Sequence, residues 1–272
     1  MILIYKICVQ PKIEYACQVW NDAADSFKSK HLDVLQHAVL CRVFRVPVTA
    51  SREALEVEAG IPPLELRREY LTARAYRRIA SCESAVSVLL RSHASRTIDT
   101  LELGTNQSFF LRGERLINTR FRGRCLRHDM INCWQQQWDD SRLCRQYHEI
   151  QPVVSLAAKK WQKKFRPSLL CAVSGMRVQT PPLRVYRNKV GMSDSSLCEC
   201  GQPESTDHFW LSCPRYSEAR TELIRVFRQV FPLGSVFLTR NILTFDQKGL
   251  GFYLWICAVR RFISSTGRLK TA

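Results

Sequence analysis

Within sixteen positions the chain places Cys198, Cys200, His208 and Cys213, a C-x-C-x7-H-x4-C series closed by Pro214. Three thiolates and an imidazole form a ligand set that suits a tetrahedral, closed structural zinc site. No other stretch constrains the fold as tightly, because four side chains on a loop must reach one point. In a regular strand, residues two apart share a face but neighbouring pleats keep their side chains parallel rather than convergent. The backbone therefore has to turn around the two first cysteines, and Gly201 and Pro203 suit such a turn. With four ligands in place no position remains for a reacting water, so the expected cofactor is a structural Zn2+. Binding of such an ion can contribute about 10–16 kcal/mol of folding free energy. The competing reading is three chance cysteines near a surface histidine.

The other cysteines of the twelve are scattered singly, among them Cys8, Cys17, Cys41, Cys82 and Cys125. Secreted disulfide scaffolds are short and cysteine-dense, so this spread predicts reduced thiols, mostly small buried groups, in nucleus or cytoplasm.

Charge narrows the partner. A net charge of +17 and an isoelectric point near 9.7 call for a polyanion. Residues 101–196 concentrate it, with seventeen Lys or Arg against seven Asp or Glu. A membrane is not expected, because the apolar run from Phe252 to Val259 stops at Arg260 and Arg261, whereas a spanning helix needs about 20 apolar residues. The N-terminus has no signal-peptide pattern. Nucleic acid, RNA and/or DNA, is the expected partner.

Periodicity predicts a mainly α fold. Leu32, Leu35, Val39, Val43 and Val46 recur at three- and four-residue steps. Ser51 is placed to cap a short helix through Ala59, which Gly60, Pro62 and Pro63 end. A longer helix is expected from about Glu65 to Leu90, with Arg67, Arg68, Arg74, Arg77 and Arg78 along it as a solvated face or as phosphate contacts. Leu126, Met130, Trp134 and Trp138 form a further stripe, and Tyr216, Ala219, Leu223, Val226 and Val230 another. The stretch from Leu250 to Ile263 reads as a buried terminal helix. The predicted organisation is a helical domain over 1–95, a linker over 96–112, a basic helical region over 113–196, the cysteine–histidine knuckle over 197–214 and terminal helices over 215–272.

Two basic elements lie in the middle region. The first holds Arg120, Arg122, Arg124 and Arg127; the second holds Lys159, Lys160, Lys163, Lys164 and Arg166, interleaved with Ala157, Trp161 and Phe165. Four-residue spacing on a helix would align the aromatics and leave the lysines beside them. These nine cations, with Trp161, are the candidate nucleic-acid contacts, against the alternative of solvated charged faces. Phe165, Phe209 and Trp210 are further candidates for stacking on unpaired bases, although core packing is the commoner use of such rings.

The run Cys-Glu-Cys-Gly, Thr-Asp-His-Phe and Cys-Pro-Arg-Tyr, with Arg220, resembles the C-terminal cysteine–histidine motif of jockey-like non-LTR (LINE) retrotransposon polymerases. Pro11 to Ala16 with Trp20, then Leu32, Leu35 and Gln36, then Ala54, Leu55, Gly60, Ile61, Pro62 and Leu64, are similar to the segment after their polymerase palm. Trp134, Trp138 and Ser141 resemble a tryptophan pair upstream of the motif. The resemblance implies a thumb-like helical domain, a nucleic-acid-binding zinc knuckle and a possible partner in the catalytic part of a related reverse transcriptase.

It does not bring the polymerase chemistry with it. Asp139-Asp140, the only adjacent aspartate pair, follows Gln137-Trp138 in a helical stripe rather than sitting on a tight turn between strands. The chain is expected to begin after the catalytic segments, as in elements truncated at the 5′ end, and no catalytic residue is assigned. The alternatives are a C-terminal nuclease, for which Glu218, Glu222 and Asp246 are the only carboxylates beyond Cys213, and an inert product of a truncated element.

Overall fold

A computed structural model describes residues 2–17, 26–82, 88, 109–157 and 159–269. Among them the fold is mainly α, with thirteen α-helices and a single isolated β-bridge. In chain order the first seven are α1 (Ile2–Ile4), α2 (Gln10–Glu14), α3 (Ser26–Phe44), α4 (Arg52–Ala59), α5 (Leu64–Ala80), α6 (Phe109–Thr119) and α7 (Leu126–Asp140). The other six are α8 (Arg145–Ile150), α9 (Pro167–Arg177), α10 (Arg184–Lys189), α11 (Ser217–Val230), α12 (Thr239–Ile242) and α13 (Gly249–Thr266). No described helix is long and apolar enough to cross a membrane. The chain forms two compact units, residues 1–40 with 61–140 and residues 41–60 with 141–272.

In the first unit α5 packs against α6 and α7. The stripe Leu126, Met130, Trp134 and Trp138 is buried, as its four-residue spacing predicts. The arginines of α5 divide by position. Arg67 pairs with Glu14 at 2.9 Å, Arg68 is buried, and Arg77 donates to the carbonyls of Gly123 and Arg124, each at 2.9 Å. Arg74 and Arg78 are exposed.

Three expectations need correction. The helix from Glu65 ends at Ala80 rather than Leu90, and Cys82 beyond it is exposed; 83–87 and 89–90, with Val86 and Leu89 among them, lie outside the described residues. On α3, Leu35 is exposed and the buried positions are Gln36, Leu40, Cys41 and Phe44. The face turns because Gln36 is satisfied inside the unit: Tyr5 Oη donates to its Oε1 at 2.5 Å, and its Nε2 donates to the Pro62 carbonyl at 3.5 Å. Thirdly, Trp161 and Phe165 do not share an α-helix. Lys160–Lys164 is a 3-10 turn and Phe165 is extended. Both rings are nonetheless buried, and Phe245 packs against each of them. Of the expected linker, 96–108 lies outside the described residues and 109–112 opens α6; Trp20 is likewise outside them.

The second unit is built around α4, α9 and the packed pair α11 and α13, on which Leu223, Val226, Phe227, Trp255, Val259 and Phe262 are buried. The Ser51 side chain caps α4 by accepting the Ala54 amide at 3.4 Å. Gly60 ends it at φ 63°, where a Cβ would lie 2.7 Å from the Ser155 carbonyl oxygen. The terminal helix α13 holds seven buried residues, as its apolar run predicts.

Candidate metal centre and basic surface

The knuckle begins with a tight reversal. Cys198 N–H donates to the Gln202 carbonyl at 2.7 Å, Gly201 N–H donates to the Cys198 carbonyl at 2.9 Å, and Gly201 sits at φ 84°. That left-handed glycine brings the sulfurs of Cys198 and Cys200 to one side, and the bridge from Leu197 to Pro203 closes the base of the loop. The chain returns through a π turn, His208–Ser212, entered where Ser205 Oγ accepts the His208 amide at 3.0 Å. Arg220 then holds the exit by donating to the carbonyls of Trp210, at 3.0 Å, and Cys213, at 2.6 Å.

These turns bring one donor atom from each of Cys198, Cys200, His208 and Cys213 within 4.8 Å of one another. Cys198 Sγ and Cys213 Sγ are 3.8 Å apart, Cys213 Sγ and Cys200 Sγ 4.0 Å, and Cys200 Sγ and His208 Nε2 3.2 Å. A tetrahedron with zinc–sulfur arms of about 2.3 Å has edges of about 3.8 Å, so the set fits a zinc-sized ion. Ser212 Oγ lies 3.4 Å from His208 Nδ1, a contact that fixes the ring with Nε2 turned towards Cys200 Sγ.

The thiols differ. A hydrogen bond from the Gln202 amide draws Cys200 below the usual thiol range, whereas burial pushes Cys213 up to about 11. A divalent cation would have to displace the Cys213 proton, so occupancy is favoured as pH rises.

The loop is docked rather than free. Trp210 stacks on Phe262 of α13 with centroids 4.9 Å apart, and Phe209 meets Phe262 and Tyr216 edge-on. Glu204, buried just past the bridge from Leu197 to Pro203, accepts both arms of Arg268, at 2.6 and 2.8 Å, and the Arg184 amide at 2.8 Å. Phe209 and Trp210 have no exposed surface, so neither ring offers a stacking face.

The candidate cations fall in both units. In the first, Arg120 is half-buried and paired with Glu69, while Arg122, Arg124 and Arg127 are exposed, with Arg122 Nε donating to the Asn118 carbonyl at 2.8 Å. In the second, Lys160, Lys163, Lys164 and Arg166 are exposed, but Trp161 is buried and Lys159 turns inward. Lys159 Nζ reaches Glu58 Oε2 at 2.8 Å and Tyr147 Oη at 3.0 Å. Asp139 and Asp140 are exposed on the last turn of α7, where Gln135 donates to Asp139 Oδ1.

Lys159 belongs to a buried network that sequence reasoning missed. Its centre is Glu58 on α4, fully enclosed, whose carboxylate accepts from Tyr147 Oη at 2.5 Å, Ser174 Oγ at 3.0 Å and Arg177 Nε at 3.2 Å. Burial alone would raise the Glu58 carboxyl, but the charges of Arg177 and Lys159 and the hydrogen bonds outweigh it and hold the pKa at about 2. Desolvation lowers Lys159 to about 8 despite the Glu58 charge. The one sequence cue is that Glu58 stands between Val57 and Ala59, but Glu53 and Glu56 share its short helix and nothing local singles it out.

No family model matches the chain, and no solved structure does. The chain is similar to the 115 kDa protein in type-1 retrotransposable element R1DM of Drosophila melanogaster, with 27% identity over 224 residues, 80% of this chain and 19% of that protein. The chain thus spans about a fifth of its relative's length. This likeness supports a retrotransposon-derived protein.

Proposed function

We propose that the chain is a nucleic-acid-binding, non-catalytic C-terminal part of a jockey-like non-LTR retrotransposon RNA-directed DNA polymerase, with a structural Zn2+ on Cys198, Cys200, His208 and Cys213. The reading rests above all on the convergence of those four donors at tetrahedral spacing, and exposed arginines and lysines support it. In this reading the ion stiffens a loop already docked on α13. Arg122, Arg124, Arg127, Lys160, Lys163, Lys164 and Arg166 meet phosphates of RNA or target DNA, and the catalytic part of a related reverse transcriptase is the protein partner. Arg120 and Lys159 keep their carboxylate partners and act on the fold.

Two measurements on the purified chain test the reading. Elemental analysis is expected to give one zinc per chain for the natural protein and a loss of it in Cys213→Ser. Affinity for oligonucleotides is expected to fall steeply between low and moderate salt, because each phosphate neutralised releases counterions. Zinc bound equally well by Cys213→Ser would overturn the metal assignment, and flat affinity across salt would overturn the binding function.

A further inference from the structure

A cavity of about 850 Å³ opens in the second unit between the Lys160–Lys164 turn and the segment that runs from Thr244 into α13. Its lining holds six cations, Lys159, Lys160, Lys163, Lys164, Arg177 and Lys248, against one carboxylate, Asp246. Lys160, Lys163, Lys164 and Lys248 are exposed and free to move towards a ligand. Arg177 and Lys159 are fixed: two buried positive charges share the single carboxylate of Glu58. The floor therefore keeps a surplus of positive charge where water screens it least.

One wall carries an aromatic ring of a different kind from those around it. Trp161, Phe245 and Phe252 are buried, but Tyr253 is 52% exposed, with Lys164 Nζ 5.1 Å from its ring centroid. A cation beside an open ring in a basic cleft is the arrangement that takes a phosphate and its base together. A duplex keeps its bases stacked within itself and gives the ring nothing to meet. An acidic peptide would satisfy the lysines but has no flat group at each charged unit.

We infer that this cleft binds single-stranded nucleic acid, with phosphates on Lys160, Lys163, Lys164 and Lys248 and an unpaired base on Tyr253. This rests on the nucleic-acid-binding reading above and adds to it the form of the ligand and its place.

The test uses the full chain, zinc-loaded, and fluorescence anisotropy with a labelled oligo(dT) and a hairpin duplex of equal charge. The natural protein is expected to prefer the single strand. The triple variant Lys160→Ala, Lys163→Ala, Lys164→Ala should weaken that binding and reduce the slope of log affinity against log salt by about 2. Tyr253→Ala should lower single-strand affinity roughly tenfold or more, leave duplex affinity unchanged, and be rescued by Tyr253→Phe. Removing the same charge elsewhere, with Arg225→Ala, Arg228→Ala and Arg261→Ala, should change single-strand affinity less than about twofold, since screening limits distant charges.

If the natural protein binds no nucleic acid at low salt, the general reading fails. If it binds but the Lys and Tyr253 variants match it, only the cleft assignment fails. Displacement of the strand by an equimolar mononucleotide, or by polyglutamate as well as by oligonucleotide, would also overturn the cleft assignment. Circular dichroism and zinc content of each variant separate lost binding from lost fold.

Discussion

The knuckle and the Glu58 network both draw several polar side chains to one point, and they balance the resulting charge in opposite ways. Around Glu58 the counter-charges belong to the chain itself, with Arg177 and Lys159 facing one carboxylate inside the fold. At the knuckle, three thiols and an imidazole meet, and the arginines around them are engaged elsewhere, Arg215 on Glu199, Arg268 on Glu204 and Arg220 on backbone carbonyls. If a metal replaces the thiol protons, as proposed, it completes the set. In that reading one cluster is finished by folding and the other by a metal, and perturbation should tell them apart.

The largest difference is expected on chelation. Withdrawing zinc should open residues 196–213 to amide hydrogen exchange, because an interaction of the order of 10 kcal/mol that joins the two ends of the loop is removed. Amides of α4 and α9 should keep most of their protection. Equal loss of protection in both places would erase the distinction. Chelation without any change in exchange would remove the metal from the knuckle altogether.

Next in size is Glu58→Gln, which leaves Arg177 and Lys159 buried without their anion. Breaking a buried pair from one side costs about 3–5 kcal/mol, read as a lower midpoint in urea, with zinc content unchanged. Acid gives the same information without mutation. The folded Glu58 titrates near 2, below its ordinary value of 4.5, so the unfolded chain binds more protons between those limits. Its contribution, up to about 3 kcal/mol, is therefore complete above pH 4.5 and declines as pH falls towards 2. A Glu58→Gln protein should lack this part of the acid sensitivity, and an unchanged acid profile would remove Glu58 as its source.

The smallest effect sharpens the knuckle side. Gly201 has nothing within 4 Å of a would-be Cβ, so Gly201→Ala meets no clash and suffers only from φ 84°. A cost of about 1–2 kcal/mol is expected, visible as weaker zinc retention against a competing chelator. Retention equal to that of the natural protein would mean that the turn does not set the sulfur positions.

The two clusters also differ in how well they can be read from sequence. The convergence of Cys198, Cys200, His208 and Cys213 is legible because the four fall within sixteen residues and a glycine follows the second of them. The Glu58 network joins residues 58, 147, 159, 174 and 177, and no local spacing connects them. Sequence spacing accordingly groups Lys159 with its exposed neighbours. Helix stripes were legible where apolar residues alone line the contact, as on α7. On α3 the reading failed because a glutamine, hydrogen-bonded by Tyr5, occupies the core position that a count of apolar residues passes over. The aromatic pair Trp161 and Phe165 marked burial correctly but not helix, since Phe245 packs against both from a distant segment. The expectation that most cysteines are buried also fails: outside the knuckle only Cys17, Cys41 and Cys171 are.

The grip of Glu204 on Arg268 has a consequence for how zinc affinity is measured. If the loop holds an ion as proposed, closing it around that ion and seating it on α13 are coupled equilibria, so each raises the apparent strength of the other. A synthetic peptide covering 196–214 would bind zinc without that helix, and its dissociation constant would understate the hold of the whole chain. By the same reciprocity, Arg268→Ala, some seventy residues from the first cysteine in sequence, should loosen the metal while touching none of its ligands.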